Sequence, residues 1–83
     1  MSVREAIASA TERLGQAGCP SPRVDAELLA QQALSLSRAE LFARSERVLE
    51  AQEERRLAGY VERRYAREPL AYILGEWGFR RLR

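Results

Sequence analysis

The chain has 83 residues, 46% of them hydrophobic, which gives it one core and leaves no room for a second. Fourteen basic residues stand against twelve acidic ones, and a net charge of +2 does not by itself imply a nucleic-acid partner. There is no His, which removes imidazole bases, triads and the common metal-ligand sets. The single Cys19 excludes an internal disulfide and fits a reducing cytoplasm. The start of the chain lacks the apolar run of an export signal or membrane span.

Ser2 and Glu5 form an S-x-x-E capping box, and Val3, Ile7, Ala10, Leu14 and Ala17 follow on one narrow stripe. A first helix therefore runs to about Ala17. Gly18 is placed to cap it, and Cys19-Pro20-Ser21-Pro22 cannot continue it. Ser21 and Pro22 then read as the N-cap and first turn of a helix over residues 22–35, with Asp25 and Glu27 where a helix N-terminus favours negative charge. Its apolar positions, Val24, Leu28, Leu29, Ala33, Leu34 and Leu36, spread around the circumference, which predicts a central helix.

Ser37 with Glu40 repeats the capping box before a short third helix ending near Arg44 or Ser45. A fourth helix is predicted over residues 51–67, with Leu57, Val61 and Tyr65 on its core side, and Glu68-Pro69 breaks it. Pro69 opens a short fifth helix through Ile73, capped by Gly75. In residues 76–83 Trp77 and Phe79 alternate as on one face of a strand, so the chain reads as stopping where a β-hairpin begins. The expected fold is all-α: a bundle of four main helices plus a short fifth over residues 1–75, then the start of a truncated hairpin over 76–83.

No Gly-rich phosphate loop is present, because glycines 15, 18, 59, 75 and 78 match neither dinucleotide nor P-loop spacing. No catalytic, cofactor-binding or metal-binding residue is expected among the 83. Asp25 falls between Leu28 and Leu29, near the apolar surface. A structural carboxylate paired with Arg64 is the favoured reading of it over a catalytic acid. Charge is unevenly placed: residues 1–54 hold six Arg and nine acids, whereas 55–83 hold eight Arg and three acids. Arg56, Arg63 and Arg67 lie within about 40° of one another on the fourth helix, with Tyr60 alongside. This basic ridge is either a solvated helix face or a contact for an acidic partner or RNA.

Two segments, SPRVDAELLAQQAL at 21–34 and ERRYAREPLAYILGEWGF at 62–79, resemble the N-terminal region of the HemK/PrmC family of release-factor glutamine methyltransferases. The second matches that family's pattern R-R-x-x-x-E-P-x-A-Y-I-x-G-E-x-x-F, and the SRAEL segment between the two also agrees. The resemblance implies a helical domain joined through a β-hairpin to a Rossmann-like domain that binds S-adenosylmethionine and methylates the glutamine of the Gly-Gly-Gln motif in class-1 peptide chain release factors. Neither a cofactor loop nor an Asn-Pro-Pro-Tyr motif occurs in these residues, so the cofactor belongs to the absent domain. What carries over is scaffold: Asp25, Ala26 and Leu28, then Arg64, Glu68, Pro69, Tyr72, Gly75 and Phe79. Gly78 and Arg80-Arg81 depart from the pattern, which bears on the hairpin alone.

On this reading the chain positions substrate, its partners are release factors and its own methyltransferase domain, and Arg56, Arg63 and Arg67 are the candidate contact. It implies no membrane partner and disfavours direct nucleic-acid binding. A freestanding helical module for RNA or an acidic protein is the alternative. A third reading has the domain only shielding the catalytic domain.

Overall fold

In the computed structural model five helices follow in the order α1 (Val3–Gln16), α2 (Pro22–Leu34), α3 (Arg38–Ala43), α4 (Ala51–Tyr65) and α5 (Leu70–Arg81). The structure describes residues 1–81, the side chains of 76–81 excepted; the hairpin start expected at 76–83, with Trp77 and Phe79, falls on the second half of α5, whose backbone is helical to Arg81, and residues 82–83 lie outside the described residues. The all-α expectation holds.

Helix α2 is central, as its dispersed apolar positions predict, and touches all four other helices. Its contact with α1 is the most extensive. Buried Ala6 and Ala10 on α1 and buried Ala26, Ala30 and Ala33 on α2 belong to the same core cluster, and side chains this small let two helix axes approach closely. Helix α4 closes a three-helix core against both, α3 lies along the edge of α1 and α2, and α5 lies along the edge of α2 and α4. Leu14, Leu29, Leu41, Ile73 and Val3 are the largest fully buried side chains, so all but one of the five helices contribute an anchor of that kind. Val24 departs from the expectation and is more than half exposed. Asp25 and Glu27, on either side of it around the same helix, are buried instead.

The helix ends show how the sequence sets the boundaries. Ser2 Oγ accepts from the Glu5 amide at 3.1 Å while Glu5 Oε1 accepts from the Ser2 amide at 2.9 Å, and Ser37 with Glu40 does the same for α3. Ser21 holds the N-cap position of α2 but its side chain makes no capping bond. The remaining orphan amides of α1 are met from far along the chain: Val3 N donates to Arg47 O and Arg4 N to Ser45 O, both at 2.9 Å. Leu49 N donates to Met1 O, and Ser2 pairs with Val48 in an isolated antiparallel bridge, so the loop before α4 is stitched onto the start of α1.

At the other end of α1, Gly18 takes a φ of 83°. Its amide bonds Gly15 O at 3.1 Å, and the next amide, of Cys19, bonds Leu14 O at 3.2 Å. This is a complete Schellman turn, in which the glycine supplies the left-handed conformation. Cys19, in the segment expected only to interrupt the helix, is buried against the core at that turn.

Helix α4 ends two residues before the expected limit. Arg67 is outside it, at a φ of 71°, and closes a second Schellman turn: Arg67 N bonds Arg64 O at 2.9 Å and Glu68 N bonds Arg63 O at 3.1 Å. The helical period gives no warning of this, because an arginine ordinarily avoids the left-handed region. Pro69 does not open α5 as its first helical residue. It sits one position earlier, its carbonyl accepting from Tyr72 N at 3.0 Å and Ile73 N at 3.3 Å. Gly75, expected to cap the helix, lies within α5.

Candidate functional site

The three arginines expected to form one outward ridge are each engaged within the domain. Arg56 Nη1 donates to Ala33 O at 3.0 Å, one residue before the end of α2. Arg67 Nη1 donates to Ala17 O, the C-cap carbonyl of α1, also at 3.0 Å. Each guanidinium thus meets the negative end of another helix, where a cation is favoured. Arg63 instead grips both oxygens of the Glu68 carboxylate, Nε to Oε1 at 3.0 Å and Nη2 to Oε2. Arg67 cannot share a helix face with the other two, having left α4. The spacing that placed them together assumed a helix through residue 67.

A distinction follows from the atoms involved. Arg63 is neutralised by a carboxylate, which holds the Glu68 carboxyl below its ordinary value, its side-chain hydrogen bond with Arg63 outweighing the opposing effect of desolvation. Arg56 and Arg67, both on exposed residues, are held by carbonyl oxygens, which leave a guanidinium charge in place, although Arg56 also lies near enough to Glu53 to help lower that carboxyl.

Around Glu68 the chain builds a corner between α4 and α5. Arg64, next to Arg63, donates Nη1 to the Glu68 carbonyl at 3.0 Å and Nε to Asp25 Oδ2 at 3.0 Å. The pairing of Asp25 with Arg64 expected from the sequence is present, and both side chains are largely buried, at 9% and 17% exposed. Asp25 comes from α2 and Arg64 from α4, so one guanidinium ties two helices to the main chain that leads into α5. Ile73, fully buried one turn into α5, fixes that helix on the core, while Tyr72 beside it is 72% exposed.

A second buried carboxylate was not anticipated as such. Glu27 accepts from Arg23 Nε at 2.9 Å and from Arg38 Nε at 3.3 Å, and Arg38 also lies over the Phe42 ring. The hydrogen bond from Arg23 is the main reason its carboxyl is held below the ordinary value, with Arg38 adding to it and burial opposing. The four-residue spacing of Arg23 and Glu27 was the available signal, since such pairs face one another on a helix.

Between α1 and α4 runs an open groove of about 290 Å³ with Ala6, Ala10, Leu57, Ala58 and Val61 in its lining. The Arg13 and Glu62 side chains at its edge bond one another twice at 2.9 Å, and Arg13 also stacks on the Tyr65 ring at 3.9 Å. Such a lining offers apolar contact and an internally satisfied ion pair. Among the described residues no group of three or more acidic, Cys or His side chains is placed to hold a metal ion, and no helix is long and apolar enough to cross a membrane.

The model of the PrmC N-terminal domain matches residues 5–75, nearly the whole described chain. The chain belongs to the PrmC N-terminal domain family. Its relatives include proteins named release factor glutamine methyltransferase from Coxiella burnetii, 42% identical over 95% of this chain and 28% of that protein, and from Deinococcus radiodurans, 42% identical over 99% and 30%. One of the same name from Streptomyces coelicolor is 46% identical over 92% of this chain and 26% of its own length. No solved structure matches the chain. The chain spans less than a third of the length of these curated relatives. The residues matched to the PrmC domain take in the corner of Arg63, Arg64 and Glu68 and the first half of the helix that leaves it.

Proposed function

We propose that this PrmC N-terminal domain orients a class-1 release factor for an S-adenosylmethionine-dependent methyltransferase domain that follows it, so that the glutamine amide of the Gly-Gly-Gln motif enters that domain's active site. The observation that carries the reading is the match over residues 5–75 together with relatives of that name, of which this chain covers under a third. On this reading the transfer chemistry and the cofactor belong to the rest of the protein, and the setting is the cytoplasm, where release factors act.

The domain's contribution is binding energy used for proximity. Contacts remote from the reacting amide raise the fraction of encounters in which it is correctly placed. Arg56 and Arg67 suit this role better than Arg63, because carbonyl anchoring fixes their positions without cancelling their charge. An acidic face of the release factor is the complementary surface.

The test is steady-state methylation by the full-length protein with Arg56→Glu and Arg67→Glu together. The KM for the release factor should rise by roughly tenfold, as for the loss of one or two charge contacts, with S-adenosylmethionine affinity unchanged. Unaltered kinetics would reject these residues as the contact. A deletion of residues 1–75 that lowers stability but leaves release-factor affinity intact would show the domain to be a shield for the catalytic domain.

A further inference from the structure

We infer that the corner between α4 and α5 is a positioning device, in which Arg63, Arg64 and Glu68 fix the direction in which α5 leaves the bundle and so set the domain against whatever follows it. This deepens the function proposed above and rests on it.

Four residues, 66–69, separate the two helices, and none is glycine. Almost every freedom of that short link is removed. Arg67 closes the Schellman turn at the end of α4 and reaches across to the C-cap carbonyl of α1. Arg64 holds the Glu68 carbonyl and, through Asp25, α2. Arg63 holds the Glu68 carboxylate with two parallel bonds. Pro69 fixes its own φ, and its carbonyl starts α5. The beginning of α5 is thereby referenced to all three long helices of the core.

The type of interaction is informative. Arg63 and Glu68 are about a third exposed, and ion pairs in that setting contribute little to stability. Burying an apolar pair would hold a helix down more firmly. What a two-pronged guanidinium–carboxylate contact supplies is direction, since its planar fork is satisfied in one relative orientation. Its placement on the residue that precedes Pro69 sets the heading of α5 at the point where the chain turns. A rigid arm matters for a reaction at a distant amide, because a displacement of about 1 Å at the reacting atoms can lower the rate by about a hundredfold.

The experiment uses the full-length protein with Glu68→Gln, and, separately, the exchanged pair Arg63→Glu with Glu68→Arg. Two substrates are compared: an intact class-1 release factor, which reaches both domains, and a short peptide containing Gly-Gly-Gln, which reaches the active site alone. With Glu68→Gln, kcat/KM on the release factor should fall by about tenfold while kcat/KM on the peptide and the Kd for S-adenosylmethionine stay within about twofold. The exchanged pair should recover at least part of the loss. Equal losses on both substrates, or none on either, would overturn the proposal, as would a loss on the release factor that tracks a lowered melting temperature of the helical domain. If Glu68→Gln does not fold, Arg63→Lys keeps the charge and removes the fork, and the same outcomes apply. Failure of the underlying functional reading would look different, since the unsubstituted protein would then transfer no methyl group to either substrate.

Discussion

Replacing Arg64 with alanine tests the central claim about how the bundle is held together. The substitution leaves the Asp25 carboxylate on α2, in a residue that is 6% exposed, without its partner, and it also frees the Glu68 carbonyl. Breaking a buried ion pair from one side costs about 3–5 kcal/mol, most of it the penalty of the charge left behind. A domain of 83 residues has a total stability of about 4–12 kcal/mol. Arg64→Ala should therefore remove a large part of the fold's stability. The double variant Asp25→Asn with Arg64→Gln removes both charges and should lose clearly less, because neutral amides are easier to bury. Urea unfolding of the 83-residue chain, followed by far-ultraviolet circular dichroism, gives both free energies at constant m-value. If the single variant lost under about 1 kcal/mol, or no more than the double variant, Asp25 would not be a charge that needs its partner, and the reasoning would fail.

Two further outcomes follow from the turns and the carboxylates. Arg67 stands at a left-handed position, so Arg67→Gly should be more stable than Arg67→Ala by about 1 kcal/mol in the same unfolding assay, both having lost the bond to Ala17 O. The carboxyls of Glu27, Glu53, Glu62 and Glu68 are all held below the ordinary 4.5 by their arginine partners. A group with a lowered folded-state value stabilises the fold above its unfolded value and loses that contribution as pH falls through the folded one. The melting temperature should thus be flat from neutral pH to about 5 and decline below 4.5, and Glu27→Gln should make the decline shallower.

How much of this could be read from the chain depends on whether the controlling interaction is local. Ser2 with Glu5, Ser37 with Glu40, and Gly18 after Ala17 act within a few residues, so their caps and turns were visible as sequence patterns. The pairing of Asp25 with Arg64 was also legible, because an acid among leucines on a central helix must find a cation. The end of α4 was not. A helical period passes through Arg67 without interruption, and what stops the helix is a left-handed residue whose side chain is held by a carbonyl 50 residues earlier. The ridge of Arg56, Arg63 and Arg67 misled for the same reason: angular position on an isolated helix cannot tell an arginine facing water from one reaching the end of a neighbouring helix. The burial of Glu27 depends on Arg38, which lies on another helix, and the stitching of residues 45–49 onto the start of α1 has no periodic signature at all.

That last feature bears on the order in which the fold can be completed as the chain is made. The amides of Val3 and Arg4 need the carbonyls of Arg47 and Ser45, and Met1 O needs the amide of Leu49. Synthesis runs from the N-terminus, so α1 can pair with α2 well before its own first turn has its permanent partners. Until residue 49 has emerged, that turn rests on the Ser2 and Glu5 box and on water. Helix α1 is then among the last of these helices to be finished, and it is the arrival of the loop before α4 that closes it.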